Sequence, residues 1–386
     1  MTPSPDSQPR LSWNRTEIAG SLGDLGTFLP LLVGMVHQCS LQLGPALLFA
    51  GLSNIVTGVM FGIPMAVQPM KAIAAVAIAE GMNESQILIA GIATGAAILV
   101  LGLTGLIDWL NRVLPLSVVR GLQLALGLKL LSGGFGLIAG TKVMFGWDSI
   151  ALGVVCAALV LYLYFSSRVP GALVIFALGL IALAMDQPSL FMRAKLGFTW
   201  HVPDFSRWED WRQGMWRGAL PQLPLTTMNS VIAVCALSRD LFPHRPANPR
   251  TVAVSVGLMN LLGCPLGAMP LCHGAGGLAA QYRFGARTGG SVVLLGIAKS
   301  ALAVLFGASL FVFLQEYPQS VLGVLLLFSG LELSVVCRDQ SEKTAFFIMM
   351  LTAGACLAIN TAVGTVVGWI LALALLKGVF HVEART

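Results

Sequence analysis

The sequence predicts an all-α polytopic membrane protein: 14 transmembrane segments as a 7+7 inverted repeat, with two half-helices preceded by short extended segments. Three observations predict it. The 386 residues are 56% hydrophobic and only 10% charged, with a mean hydropathy of +0.83, whereas a soluble protein carries roughly 25% charged residues. Within this apolar background the stretch Gly62–Gly81, GIPMAVQPMKAIAAVAIAEG, is interrupted by Pro64 and Pro69 and carries Gln68 and Lys71. The third observation is an internal repeat. Gly51-Leu52-x-Asn54 followed by Pro64 recurs 206 positions later as Gly257-Leu258-x-Asn260 followed by Pro270.

A span needs about 20 apolar residues. On that basis the first half holds segments near 16–36, 44–62, 68–80, 86–107, 115–138, 148–166 and 169–186. The second half holds segments near 217–237, 249–266, 273–281, 289–314, 318–336, 343–359 and 363–381. Residues 1–15 form a polar tail without the charged segment, short apolar run and cleavage site of a removable signal. Residues 187–216 link the repeats 16–186 and 217–381. In the linker, DFSRWEDWRQGMW sets Trp208, Trp211 and Trp216 among charges, which suits an amphipathic helix lying at the membrane surface; a polar loop is the alternative. With the N-terminus inside, the inner loops hold Arg112, Arg168, Arg239, Arg245, Arg250, Arg283, Arg287, Arg338 and Lys343, and the termini add Arg10, Arg15 and Arg385. Lys142, Arg193, Lys195, Arg207 and Arg212 fall outside. This bias places a multi-pass protein in the cell (inner or plasma) membrane with both termini cytoplasmic. Basic loops also account for the net charge of +6, so no nucleic-acid partner is expected. The seven cysteines lack metal-ligand spacing and read as small buried hydrophobes. No metal or cofactor is expected.

Seven spans per half is an odd number, so the halves insert with opposite orientation, as in secondary transporters. Upstream, Gly20 to Gly26 aligns with Gly218 to Pro224 at an offset of 198, pairing Asp24 with Gln222. In the first break Pro64–Val67 reads as extended, and a half-helix starts near Gln68–Pro69 with proline at its first position. His273 begins the second half-helix. Broken backbone at that depth is tolerated only where protein buries it or water reaches it. Two facing helix N-termini supply unpaired N–H groups and positive dipole ends, a pocket for an anion. The candidate binding set is Gln68, Pro69, Met70 and Lys71 from the first break, and Cys272, His273, Gly274, Ala275, Gly276 and Gly277 from the second. Thr27, Thr226, Thr227, Asn229 and Ser230 could line the cavity or bond within their own helices. The glycines admit backbone to a ligand or serve close helix packing. Lys71 needs a negative neighbour, either a bound oxyanion or Asp24; substrate binding, coupling, a structural pair and snorkelling all remain open. Asp24 suits proton coupling or capping of unwound backbone. His273 could donate, accept a proton or serve structure. Arg283 and Arg287 suit anchoring or anion exit. Sequence alone assigns no role to Arg120, Lys129, Lys299 or Glu332.

Three stretches carry a family resemblance. Gly23-Asp-Leu-Gly-Thr-Phe-Leu-Pro30, Pro64-Met-Ala-Val-Gln-Pro-Met-Lys-Ala72 and Pro270-Leu-Cys-His-Gly-Ala-Gly-Gly-Leu-Ala-Ala-Gln-Tyr-Arg-Phe-Gly285 resemble signatures of the molybdate transporter family, which is related to the sulfate permeases. The resemblance implies a core domain (16–107 plus 217–314) moving against a gate domain (115–186 plus 318–381), with substrate between the third and tenth spans. It implies import of molybdate, with tungstate or sulfate as competing oxyanions, protons as the coupling ion and the lipid bilayer as surroundings. A homodimer is one open expectation for assembly. Unlike sulfate permeases, the sequence leaves no room after the last span for a cytoplasmic regulatory domain, which fits the molybdate branch. A sulfate or nucleobase permease is the nearest alternative. An intramembrane hydrolase using His273 with Ser230 or Cys272 would be the alternative from another class; no enzyme is expected.

Overall fold

The computed structural model describes residues 9–107, 109, 114–164, 170–192 and 194–376. The expected charges at Arg112, Arg168, Arg193 and Arg385, and tail residues 1–8, lie outside the described residues. The first half runs α1 (Arg15–Cys39), α2 (Leu43–Phe61), strand β1 (Val67–Pro69), α3 (Lys71–Glu80), α4 (Glu84–Thr104), α5 (Leu116–Gly140), α6 (Ile150–Tyr164) and α7 (Gly171–Asp186). The second half runs α8 (Trp208–Leu241), α9 (Pro249–Gly263), β2 (Leu271–His273), α10 (Ala275–Arg283), α11 (Gly290–Gln315), α12 (Gln319–Asp339), α13 (Lys343–Ala358) and α14 (Thr361–Leu376). Seven of these helices, α1, α2, α4, α5, α8, α11 and α12, are long and apolar enough to cross a membrane.

The halves lock together at the breaks. β1 and β2 pair antiparallel in the register Val67↔His273, Gln68↔Cys272 and Pro69↔Leu271. The Met70 amide extends the pairing by donating to the Pro270 carbonyl at 2.8 Å. This corrects both expected half-helix starts. Pro69 lies in the strand, α3 begins at Lys71, and His273 ends β2, two residues before α10. Proline lacks an N–H, so it fits the edge of a two-stranded pair as well as a first helical position. The cross-strand partner decides between the two.

The repeated asparagines hold these strands in place. Asn54 Oδ1 accepts the Val67 amide at 2.8 Å, and Asn260 Oδ1 accepts the Leu271 amide at 2.8 Å. Asn260 Nδ2 also donates to the Leu271 carbonyl at 2.6 Å. The asparagines keep the 206 offset, but Leu271 follows Val67 by 204 positions, so the repeat slips by two inside the break. Pro64 and Pro270, equivalent by sequence offset, are therefore not structural equivalents. Asn260→Ala strips partners from two buried backbone groups, each costing about 1–3 kcal/mol. It should lower the thermal unfolding midpoint of the purified protein more than Ser206→Ala in the exposed linker does.

The glycines of the repeat allow close helix approach. A Cβ on Gly51 would meet the Gly296 carbonyl of α11 at 2.6 Å, and one on Gly257 the Gly95 carbonyl of α4 at 2.9 Å. Between α5 and α12, Gly134 and Gly127 meet the carbonyls of Gly323 and Gly330 in the same way, at 2.5 and 2.6 Å. Glu17 ties the start of α1 to the start of α11, accepting the amides of Arg287, Thr288 and Ser291 at 2.9–3.2 Å.

The expected surface helix at 204–216 is not a separate element. The helix starts at Trp208 and continues through α8 to Leu241. Asp210 is buried and accepts from Asn83 Nδ2 at 3.0 Å and Gln86 Nε2 at 2.9 Å, which draws the start of α8 onto the start of α4. π-helical turns at Gly214–Ala219 and Thr226–Ile232 flank Pro221 and Pro224, whose missing N–H groups interrupt the regular ladder. The seven cysteines are free and buried.

Candidate functional site

Because the strands are antiparallel, α3 and α10 leave the pair in opposite directions and direct their N-termini back to the centre. The two ends are treated differently. At α3, Gln222 of α8 reaches across and its Oε1 accepts the amides of Ala72 at 2.8 Å and Ile73 at 3.2 Å. Gln222 Nε2 donates to Thr226 Oγ1 at 2.8 Å, which fixes the amide in that orientation. Two of the N–H groups expected to receive substrate are thus taken by a side chain. At α10 the first turn opens outward: Gly276 is exposed, Ala275 half-buried and Gly277 buried.

Asp24 occupies in the first half the place of Gln222 in the second. It lies in a 3₁₀ turn (Leu22–Asp24) inside α1 and faces α10, where a Cβ on Gly277 would sit 2.9 Å from its Oδ1. Gln68 Nε2 donates to Asp24 Oδ1 at 2.6 Å. Asp24 Oδ2 faces Lys299 Nζ of α11 at 3.6 Å, and that ammonium lies 3.4 Å above the Phe28 ring. Lys299, without a role from sequence, is therefore the counter-ion of Asp24.

Lys71 opens α3. It is half-buried, and among the described residues no carboxylate forms an ion pair with it. Its Nζ lies 3.9 Å from the position a Cβ on Gly276 would take, which puts the ammonium at the open turn of α10. It also lines a small cavity with Gly26 and Thr27 of α1, Leu130 of α5, and Ser329 and Glu332 of α12. Lys71 therefore stands between the first turn of α10 and the cavity that Thr27 lines, with Gln68 and Asp24 packed behind that turn.

Other candidate side chains sit elsewhere. His273 is buried with Nε2 3.0 Å from Ser255 Oγ and its ring edge-on to Phe61. Cys272 is buried beside Ser230. Thr226 accepts from Gln222, Thr227 donates to its own helix at Leu223 O, and Asn229 is half-buried. Pro69 and Met70 contribute backbone to the strand pairing. Arg287 stacks on Tyr282 at 3.7 Å. Sequence reasoning missed Gln222 as a cap; its alignment with Asp24 was the available signal.

At the far end of α3 a second cluster forms. Glu80 pairs with Lys129 of α5 at 2.5 Å and with Arg217 of α8 at 3.0 Å, and Thr361 of α14 accepts from Lys129 at 3.1 Å. Arg120 forks onto Asp339.

Strand-paired half-helices in an inverted repeat of seven plus seven spans are a fold that this chain shares with solved transporters. Murine solute carrier 26 family member A9, an anion transporter solved in the inward-facing state, superposes with a TM-score of 0.69 at 15% identity, covering 97% of this chain and 70% of that one. The transmembrane domain of the cyanobacterial bicarbonate transporter BicA superposes with a TM-score of 0.64 at 14% identity, covering 93% and 97%. The chain belongs to the molybdate transporter family: the profile described as "Molybdate transporter of MFS superfamily" matches residues 16–130 and 214–333. Molybdate transporters 1 and 2 of Arabidopsis thaliana are 40% and 41% identical over 91% and 90% of this chain, and the alignments cover 86% of each. Molybdate transporter 1 of Chlamydomonas reinhardtii is 36% identical over 93% of this chain and 90% of its own length. The family and these relatives are transporters, not enzymes, so the hydrolase alternative is set aside.

Proposed function

We propose that the protein imports molybdate by alternating access, with the core (16–107 plus 217–314) moving against the gate (115–186 plus 318–381). The supporting observation is the asymmetric pair of helix ends: α3 is capped by Gln222, while α10 is open with the Lys71 ammonium at its mouth. An oxyanion seated there accepts from the backbone of Ala275 to Gly277 and from Lys71, both charge-assisted interactions. Thr27 adds a hydroxyl from α1, and Gln68 supports the turn from behind. In this reading the membrane is the cell (inner or plasma) membrane, with both termini cytoplasmic. Import is coupled to protons, because a dianion moving inward against a negative potential needs compensating positive charge. Two carboxylates stand close enough to serve, Asp24 behind the turn and Glu332 in the cavity wall.

Purified protein in liposomes should take up molybdate, with tungstate competing strongly and sulfate weakly. Uptake of sulfate or uracil exceeding that of molybdate would replace this reading with the sulfate or nucleobase permease.

A further inference from the structure

We propose that Glu332 of α12 takes up the proton that accompanies the oxyanion and releases it when the anion leaves. The inference rests on the oxyanion reading above and assigns its coupling group. Glu332 is exposed and shares the cavity with Lys71, which is the other titratable side chain lining it among the described residues. In the empty site the two charges, one on α3 and one on α12, balance. A dianion arriving beside Lys71 at the turn of α10 brings two negative charges next to a cavity whose wall already holds a carboxylate. Proton uptake removes that repulsion. Whatever a proton does for anion affinity, the anion does equally for proton affinity.

Asp24 is poorly placed for the same task. Its Oδ1 holds Gln68 at 2.6 Å and its Oδ2 faces Lys299 at 3.6 Å, with no exposed side-chain surface. Protonating it would leave the Lys299 ammonium buried without its counter-charge, which is strongly unfavourable. Glu332 takes its proton directly from cavity water: a carboxylate oxygen gains an O–H bond, and the proton returns to water on the side where the anion is released.

Among the described residues the surroundings offer no rival. On α5, which packs along α12, Arg120 is held by Asp339 and Lys129 by Glu80. On α1, Glu17 caps α11, Asp24 holds Lys299 and buried Cys39 ends the helix, while His37 lines a separate cavity together with Asp186 of α7. On α6, Tyr162 is exposed and Cys156 buried. On α12 itself, Cys337, Arg338 and Asp339 lie in the terminal 3₁₀ turn.

The test is a titration of purified full-length protein with molybdate in weakly buffered solution containing a pH indicator. The parent should take up close to one proton per molybdate bound, and its affinity should fall about tenfold per pH unit wherever that uptake is seen. Glu332→Gln matches the side chain in size at an exposed position. It should bind molybdate with no proton uptake and with a flat pH profile, and Glu332→Asp should restore both. Equal proton uptake by E332Q and the parent, or binding by the parent with no uptake, overturns the proposal. So does loss of uptake in Asp24→Asn with retention in E332Q. A folded parent that binds no molybdate fails the oxyanion reading instead, and the same titration with sulfate then tests the proton step separately.

Discussion

Replacing Lys71 by alanine is expected to abolish molybdate uptake while leaving the protein folded in the membrane. Lys129 and Lys299 are each ion-paired, whereas Lys71 makes no ion pair among the described residues, lies beside an open turn of glycines and lines the cavity. A charge-assisted hydrogen bond contributes about 1.5–3 kcal/mol, so the variant should bind molybdate roughly ten- to a hundredfold more weakly. Stability should not suffer. A cation in the first turn of a helix opposes the dipole, so truncating it relieves α3, and the Gln222 cap remains. Equilibrium binding and liposome uptake, on protein shown to be monodisperse by size exclusion, check the two halves of the expectation. Unchanged uptake would remove Lys71 from the site.

Gly274→Val is the second large effect. Gly274 has φ −116° and ψ 125°, an ordinary extended conformation, so the backbone does not call for glycine there. Space does. A Cβ at this position would collide with Gln68 Oε1 and lie 2.8 Å from Gln68 Cδ. Gln68 cannot simply move away, because its Nε2 is held by Asp24 and its strand is paired to Cys272. The added side chain must therefore displace the first turn of α10. Molybdate affinity should fall more than tenfold, whereas Gly133→Ala, where a Cβ meets nothing within 4 Å, should bind as the parent does. Parent-like affinity in Gly274→Val would mean that this turn does not touch the anion.

Much of this was legible in the chain itself. The apolar composition, the two proline-marked breaks and the paired Gly-Leu-x-Asn motifs were enough for an inverted repeat, and the motif stretches named the family. What stayed hidden depended on long-range partners. Gln222 caps α3 from 150 positions away, and Lys299 reaches Asp24 across 275. Neither pairing leaves a local periodicity. Pro69 was ambiguous for a physical reason, since its missing N–H suits a strand edge and a helix start alike. The tryptophans of 208–216 imitated a surface helix because the buried contact of Asp210 with α4 is invisible in an amphipathic pattern.

The ten residues of α3 form a stiff rod about 15 Å long. One tip carries the Lys71 ammonium; the other, Glu80, is bolted to Lys129, to Arg217 and through Lys129 to Thr361. A rod transmits displacement without absorbing it. Unfastening the Glu80 tip should therefore shift the Lys71 tip as well.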